Sequence, residues 1–199
     1  MLLYRWETED KAGVFMSKKP YGLGILVGRF QTLHTGHEMM INKAIELCDE
    51  VGIFIGSSQE EGTYKNPFSY EVRKSLLYKI FGSKIKVFPL PDIGVGNNSK
   101  WGDYVLENVI KHFNKTPDLL VSGREERRSS WFEGENGSAV SELYIPKTID
   151  ISASQMRTHF INGDLMSWEK YTNPILWDEF GVLKELVINS KDNLESKSI

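Results

Sequence analysis

"VGRFQTLHTGHEMMI", residues 27–41, decides how this chain is read. A short apolar run, LGILVG at 23–28, leads into it, and a helix-like segment leads out. The junction holds two of the chain's four histidines, His34 and His37. At that spacing two imidazoles share one face of a first helical turn, or of the turn before it, and aim their nitrogens at one oxygen-rich ligand. Thr35, Gly36 and His37 open the helix, where unpaired backbone N–H groups and the positive end of the helix dipole suit a phosphate. Two other readings stand beside this one. A zinc site needs a third ligand, and the zincin spacing would require histidine where Ile41 stands. Alternatively, the pair caps the helix and fills polar gaps.

Outward from the junction, apolar runs at 23–28, 51–57, 84–90 and 118–123 read as strands, with a weaker one in SELYIP, 141–146. Helix-like segments lie between them near 36–49, 69–81 and 101–114, and a further helix begins near Ser154. Such alternation predicts an α/β fold with a parallel sheet covered by helices on both faces. Residues 168–188 read as one or two C-terminal helices packing Leu176, Phe180, Leu183 and Val187. The expected organisation is an extension at 1–20, one domain at 21–189 and a polar tail at 190–199 that frays. In an open parallel sheet, ligands bind beyond the carboxyl ends of the strands, which is where GRFQTLHTGH falls.

With 199 residues, 40% of them hydrophobic, the chain suffices for one sizeable core. A net charge of −3 offers no general attraction to nucleic acid or to an anionic membrane, so anions must be held by local groups. No apolar run is long enough to span a bilayer, and the first residues lack the pattern of a secretion signal; a cytoplasmic protein is expected. The single cysteine, Cys48, falls at helical spacing with Met40, Ile41, Ala44 and Ile45 and reads as a buried, inert thiol. Other phosphate-binding devices are absent: there is no GxxxxGK[ST], and the glycines of GLGILVG do not match a dinucleotide fingerprint.

GRFQTLHTGH resembles the GRFQPxHxGH signature of the nucleotidylyltransferase superfamily, and ISASQMR at 151–157 resembles its second signature, ISxTxxR. Within that superfamily, IGSSQEEGTYKNPFSYEVR (55–73), NNSKW (97–101) and DLLVSG (118–123) are similar to segments of archaeal-type nicotinamide mononucleotide adenylyltransferases. The likeness covers roughly residues 22–170. It departs at Thr32, where proline is usual, at Arg124, where asparagine is usual, and in the wider spacing between Asp92 and Asn98.

The resemblance implies a Rossmann-like nucleotidylyltransferase domain that transfers the adenylyl group of ATP to nicotinamide mononucleotide (NMN), giving NAD and pyrophosphate. Other phosphate acceptors (nicotinic acid mononucleotide, phosphopantetheine, FMN) and a non-catalytic nucleotide-binding regulator remain alternatives. By the same likeness His34, His37 and Arg157 are the catalytic residues. Gly28, Arg29, Phe30, Gly36, Lys65, Ser122, Gly123, Ser152 and Ser154 line the ATP site. Asn66, Asn98 and Trp101 hold the acceptor, Trp101 by stacking on the pyridine ring. Arg124–Arg128 is either a solvated loop or a cover over the adenosine. Magnesium is expected to arrive with ATP, with no protein metal ligands; the partners are ATP and NMN, with a homo-oligomer possible.

Overall fold

The computed structural model describes residues 19–96, 99–123, 131–132 and 139–195. The N-terminal segment 1–18, Asn98 and the Arg124–Arg128 run lie outside these residues. The strands are β1 (Tyr21–Gly28), β2 (Cys48–Gly56), β3 (Lys86–Leu90), β4 (Leu119–Ser122) and β5 (Ser141–Tyr144). The helices are α1 (Thr35–Leu47), α2 (Tyr70–Phe81), α3 (Ser99–Phe113), α4 (Ala153–Asn162), α5 (Leu165–Lys170) and α6 (Phe180–Glu195). All five strands run parallel in the order β3-β2-β1-β4-β5. The chain crosses from one side of β1 to the other between β3 and β4. The carboxyl end of β1 is therefore the switch point at which a parallel sheet opens a crevice.

Period-two alternation along the strands sorts the core into two layers. Leu26, Val51, Ile53, Ile55, Leu119 and Val121 pack with α1, α2, α4 and α6 on one face. Leu23, Ile25, Phe54, Leu90 and Leu120 meet Val105 and Val109 of α3 on the other. Two glycines admit close neighbours. A Cβ at Gly24 would stand 2.4 Å from the Cys48 sulfur, and one at Gly52 would stand 2.8 Å from the Phe113 ring.

The observed elements differ from the sequence reading at their ends. Cys48 does not close a helix but opens β2, because α1 passes into the strand without a loop; Lys19 Nζ donates to the carbonyls of Ile45 and Cys48 at that joint. The thiol is buried all the same, and burial, with Asp118 nearby, pushes its pKa up to about 11, which keeps it unreactive. β3 begins at Lys86 rather than at 84, because Lys84 closes a 3-10 turn at Gly82–Lys84. The C-terminal region is α5, a 3-10 turn at Pro174–Glu179 and α6, and α6 continues past Asn189 to Glu195. No helix among the described residues is long and apolar enough to cross a membrane.

Candidate active site

The GRFQTLHTGH segment turns sharply as it leaves β1. Phe30 takes a left-handed conformation, φ 51°, which costs a non-glycine residue energy and is sustained only by its surroundings. Its ring is buried and lies against His37, with centroids 5.0 Å apart. A Cβ on Gly28 would stand 3.2 Å from that ring, so glycine lets the turn fold back on itself. Gln31 is buried and pairs with the main chain of Phe68: its Nε2 donates to the Phe68 carbonyl at 2.9 Å, and its Oε1 accepts from the Phe68 N–H at 3.0 Å. The turn is thereby tied to the NPF loop ahead of α2.

His34 is the N-cap of α1, in extended conformation, and its carbonyl accepts from the N–H groups of His37 and Glu38. The two imidazoles lie face to face, centroids 3.8 Å apart and tilted by 34°. Gly36 sits under this pair, where a Cβ would come within 3.1 Å of the His34 ring. Burial pushes the His34 pKa down to about 4, helped by the charge of Lys147, and burial together with His34 holds His37 well below its ordinary value. Both rings are neutral at pH 7, and the buried Nδ1 atoms of both lack a protein partner. Two stacked neutral imidazoles with unspent nitrogens are suited to an anion, whose charge replaces the lost hydration.

From the opposite wall comes α4. Its N-cap Ser152 accepts from the Gln155 N–H and donates to the Gln155 side-chain oxygen at 2.7 Å, a closed capping arrangement. Arg157, one turn further on, is buried; its Nη1 donates to the Gln31 carbonyl at 2.9 Å and its Nη2 to the Ser154 hydroxyl at 3.1 Å. Its Nε is buried without a partner, and its guanidinium lies 5.5 Å from the Tyr64 ring centroid. Burial lowers the Arg157 pKa. Among the described residues no carboxylate pairs with this desolvated cation, so an incoming anion would meet it at nearly full strength.

These elements enclose a cleft of about 430 Å³ lined by Gly28, Arg29, Phe30, His34, Gly36, His37, Ser122, Gly123, Ser152, Ser154 and Arg157. Every residue assigned from sequence to the ATP side except Lys65 lies in this wall. Lys65 is exposed in the loop before Asn66 and lines neither this cleft nor the next. Gln31, Trp131 and Lys147 also line it and were not singled out from sequence. Gln31 could have been noticed as a lone amide between Phe30 and Leu33, whereas Trp131 and Lys147 carry no local signal. Ser122 is partly engaged, its hydroxyl donating to Glu142 at 3.0 Å. Close approach explains Gly123, where a Cβ would stand 2.5 Å from the Met40 sulfur.

A second cleft, of about 310 Å³, opens on the β2–β3 side of β1. Its walls are Val27, Gly28, Arg29, Gly56, Ser57, Trp101, Trp131 and the loop from Asp92 to Gly96. Trp101 is half-buried and meets Trp131 edge-on at 6.3 Å. Asn66 is buried in its own loop, bonded through its backbone to Thr63, and lines neither cleft. The two clefts share Val27, Gly28, Arg29 and Trp131, so they join at the end of β1. Among the described residues there is no group of three or more His, Cys, Asp or Glu side chains that could hold a metal ion.

Comparison with known proteins matches residues 25–159 to the cytidylyltransferase-like family. The chain is 31% identical over 182 residues to the nicotinamide-nucleotide adenylyltransferase of Pyrococcus horikoshii, covering 87% of this chain and 91% of that protein. It is 32% identical over 181 residues to the enzyme of the same name from Pyrococcus abyssi, with the same coverage. Among solved structures, a bifunctional NMN adenylyltransferase/ADP ribose pyrophosphatase from Francisella tularensis, complexed with AMP and a manganese ion, superposes with a TM-score of 0.67 at 25% identity. That match covers 89% of this chain and 55% of the bifunctional protein, so the chain spans about half of its length.

Proposed function

The chain belongs to the cytidylyltransferase-like family, and on that premise we propose that it transfers the adenylyl group of ATP to NMN, giving NAD and pyrophosphate. One observation carries the reading beyond family likeness. A cleft with paired histidines and a buried arginine joins a second cleft with a tryptophan wall at Gly28 and Arg29. A reaction that links two nucleotides through their phosphates needs two such chambers with a common floor.

In this reading ATP fills the larger cleft and NMN the smaller. An oxygen of the NMN 5′-phosphate attacks the α-phosphorus of ATP, forming the new P–O bond. The bond from the α-phosphorus to the bridging oxygen breaks, and its electron pair leaves on pyrophosphate. The nucleophile is already an anion near neutral pH, so no general base is needed, and catalysis rests on alignment and on stabilising phosphate charge. His34 and His37 donate to the triphosphate as neutral imidazoles. Arg157 offers its unpartnered Nε and the edge of its fork, and Arg29, exposed at the shared floor, adds charge where the phosphates meet. Gly28, Phe30, Gly36, Ser122, Gly123, Ser152 and Ser154 shape the ATP wall, Trp101 offers a flat face to the pyridine ring, and Asn66 and Asn98 are assigned to the acceptor by likeness alone.

A divalent cation, magnesium in this proposal, fits the donor set. Among the described residues the larger cleft is lined by Arg29, Lys147 and Arg157 and by no carboxylate, which suits an ion held by phosphate oxygens and water. When bound with ATP it would neutralise charge on the leaving phosphates. The test is pyrophosphate release from ATP with NMN, nicotinic acid mononucleotide, phosphopantetheine and FMN in parallel. NMN is expected to give the highest kcat/KM. Release with another acceptor alone would reassign the substrate, and binding of ATP without release would make the protein a nucleotide-binding regulator.

A further inference from the structure

Arg73, on α2, lines neither cleft and is only 1% exposed. Its Nε donates to the Ser69 carbonyl at 3.1 Å. Its Nη1 donates to the carbonyls of Gly56 at 2.9 Å and Arg29 at 3.1 Å. Its Nη2 donates to those of Ser57 at 3.1 Å and Glu60 at 3.5 Å. Guanidinium has five N–H groups, and each finds a main-chain carbonyl. Buried arginines more often meet a carboxylate. Here the rigid fork spans the residue after β1, the last residue of β2 and the left-handed Ser57, φ 47°, that follows it. Arg29 is floor to both clefts, and Gly56 and Ser57 wall the second. Burial and the neighbouring Arg29 bring the Arg73 pKa down to about 10, which leaves the fork charged at neutral pH.

We propose that Arg73 is a positioning residue for the transfer step, its fork holding the carboxyl ends of β1 and β2 so that the phosphates from the two clefts meet in line; this rests on the adenylyl-transfer reading. Displacement of a reacting group by about 1 Å costs on the order of a hundredfold in rate, and the Arg73 fork ties the two strand ends directly through the carbonyls of Arg29, Gly56 and Ser57. Lysine would keep the charge and lose the planar fork.

The experiment uses the full chain. Wild-type protein is assayed first with ATP and NMN; no NAD there defeats the functional reading and leaves the role of Arg73 to whichever reaction replaces it. With wild type active, Arg73→Lys is expected to lose about a hundredfold in kcat, with both KM values within about threefold and the folded near-UV circular dichroism retained. A kcat within about threefold of wild type, or a loss that tracks the unfolded fraction, would overturn the proposal. A second arm guards against misfolding of the lysine variant. Arg73→Ala is assayed in methylguanidinium and in methylammonium, and methylguanidinium is expected to restore turnover at least about tenfold better, since only it reproduces the fork. Equal rescue, or none, makes Arg73 a stability residue.

Discussion

The two clefts that meet at the end of β1 are built differently. The larger draws its key groups from the first turns of α1 and α4: His34 is the N-cap, its half-buried ring stacked on His37, and the buried Arg157 is fastened to the Gln31 carbonyl. The smaller is walled largely by the exposed loop from Asp92 to Gly96, where Gly94 and Gly96 take φ of 75° and 72°, and by two tryptophans. Helix ends fix a side chain to within a fraction of an ångström, whereas loops vary in path. In the proposed reading, the chamber assigned to the phosphates is therefore the one built on helix ends, and the chamber assigned to the acceptor is the one whose walls can differ without disturbing the chemistry.

The contrast is tested most strongly at the histidine pair. His37→Ala is expected to lower kcat about 10²–10³-fold, as removal of one donor to a developing oxyanion does, with little change in KM for the acceptor. The check is steady-state kinetics with both substrates varied; zinc released by the same substitution would return the pair to metal binding. Arg157→Lys is expected to stay folded and to lose about tenfold or more in kcat/KM, because the fork that reaches Gln31, Ser154 and a phosphate together is gone. Near-normal turnover there would mean that diffuse charge is enough.

Across the floor, Trp101→Ala is expected to raise KM for NMN about three- to tenfold while KM for ATP hardly moves, and Trp101→Phe to be milder. Thermal melts run beside the kinetics separate this from loss of packing against Tyr104 and Trp131, which would impair both substrates together. A smaller effect concerns pH. His34 titrates near 6.5 when unfolded and at about 4 when folded, so the unfolded chain binds the extra proton first. Stability is then full above about pH 6.5 and declines as pH falls toward 4, and ATP, which favours the protonated ring, should soften the decline. Melting temperatures from pH 7 to 4, with and without ATP, measure it. Smallest of all, Lys65→Ala should change kcat/KM for ATP less than about twofold, since the side chain is solvated outside both walls. A loss of tenfold would bring its loop onto bound ATP.

Much of the larger cleft was legible because its parts are local. A strand, a turn and a helix start follow one another in LGILVGRFQTLHTGH, and the second helix start lies within ISASQMR; in each, spacing along the chain is spacing in space. Lys65 and Asn66 were read from likeness in a loop, where sequence neighbours need not share a wall. Cys48 was read as helical because apolar spacing runs through the joint between α1 and β2, and the hydrogen bonds that end the helix leave no mark in side-chain type.

The amino-acid sequence by itself determined the alternating strands and helices, the buried faces and the histidine pair at a helix start, since these follow from periodicity and from the unpaired N–H groups of a first turn. Only the tertiary structure decided that β1 lies between β2 and β4, that Trp131 enters both clefts, that Lys147 comes near His34, and that Arg73 reaches five carbonyls. The acceptors for Arg73 are main-chain oxygens, which every residue carries; which of them converge is settled by how the strand ends pack, and no pattern of side chains encodes it.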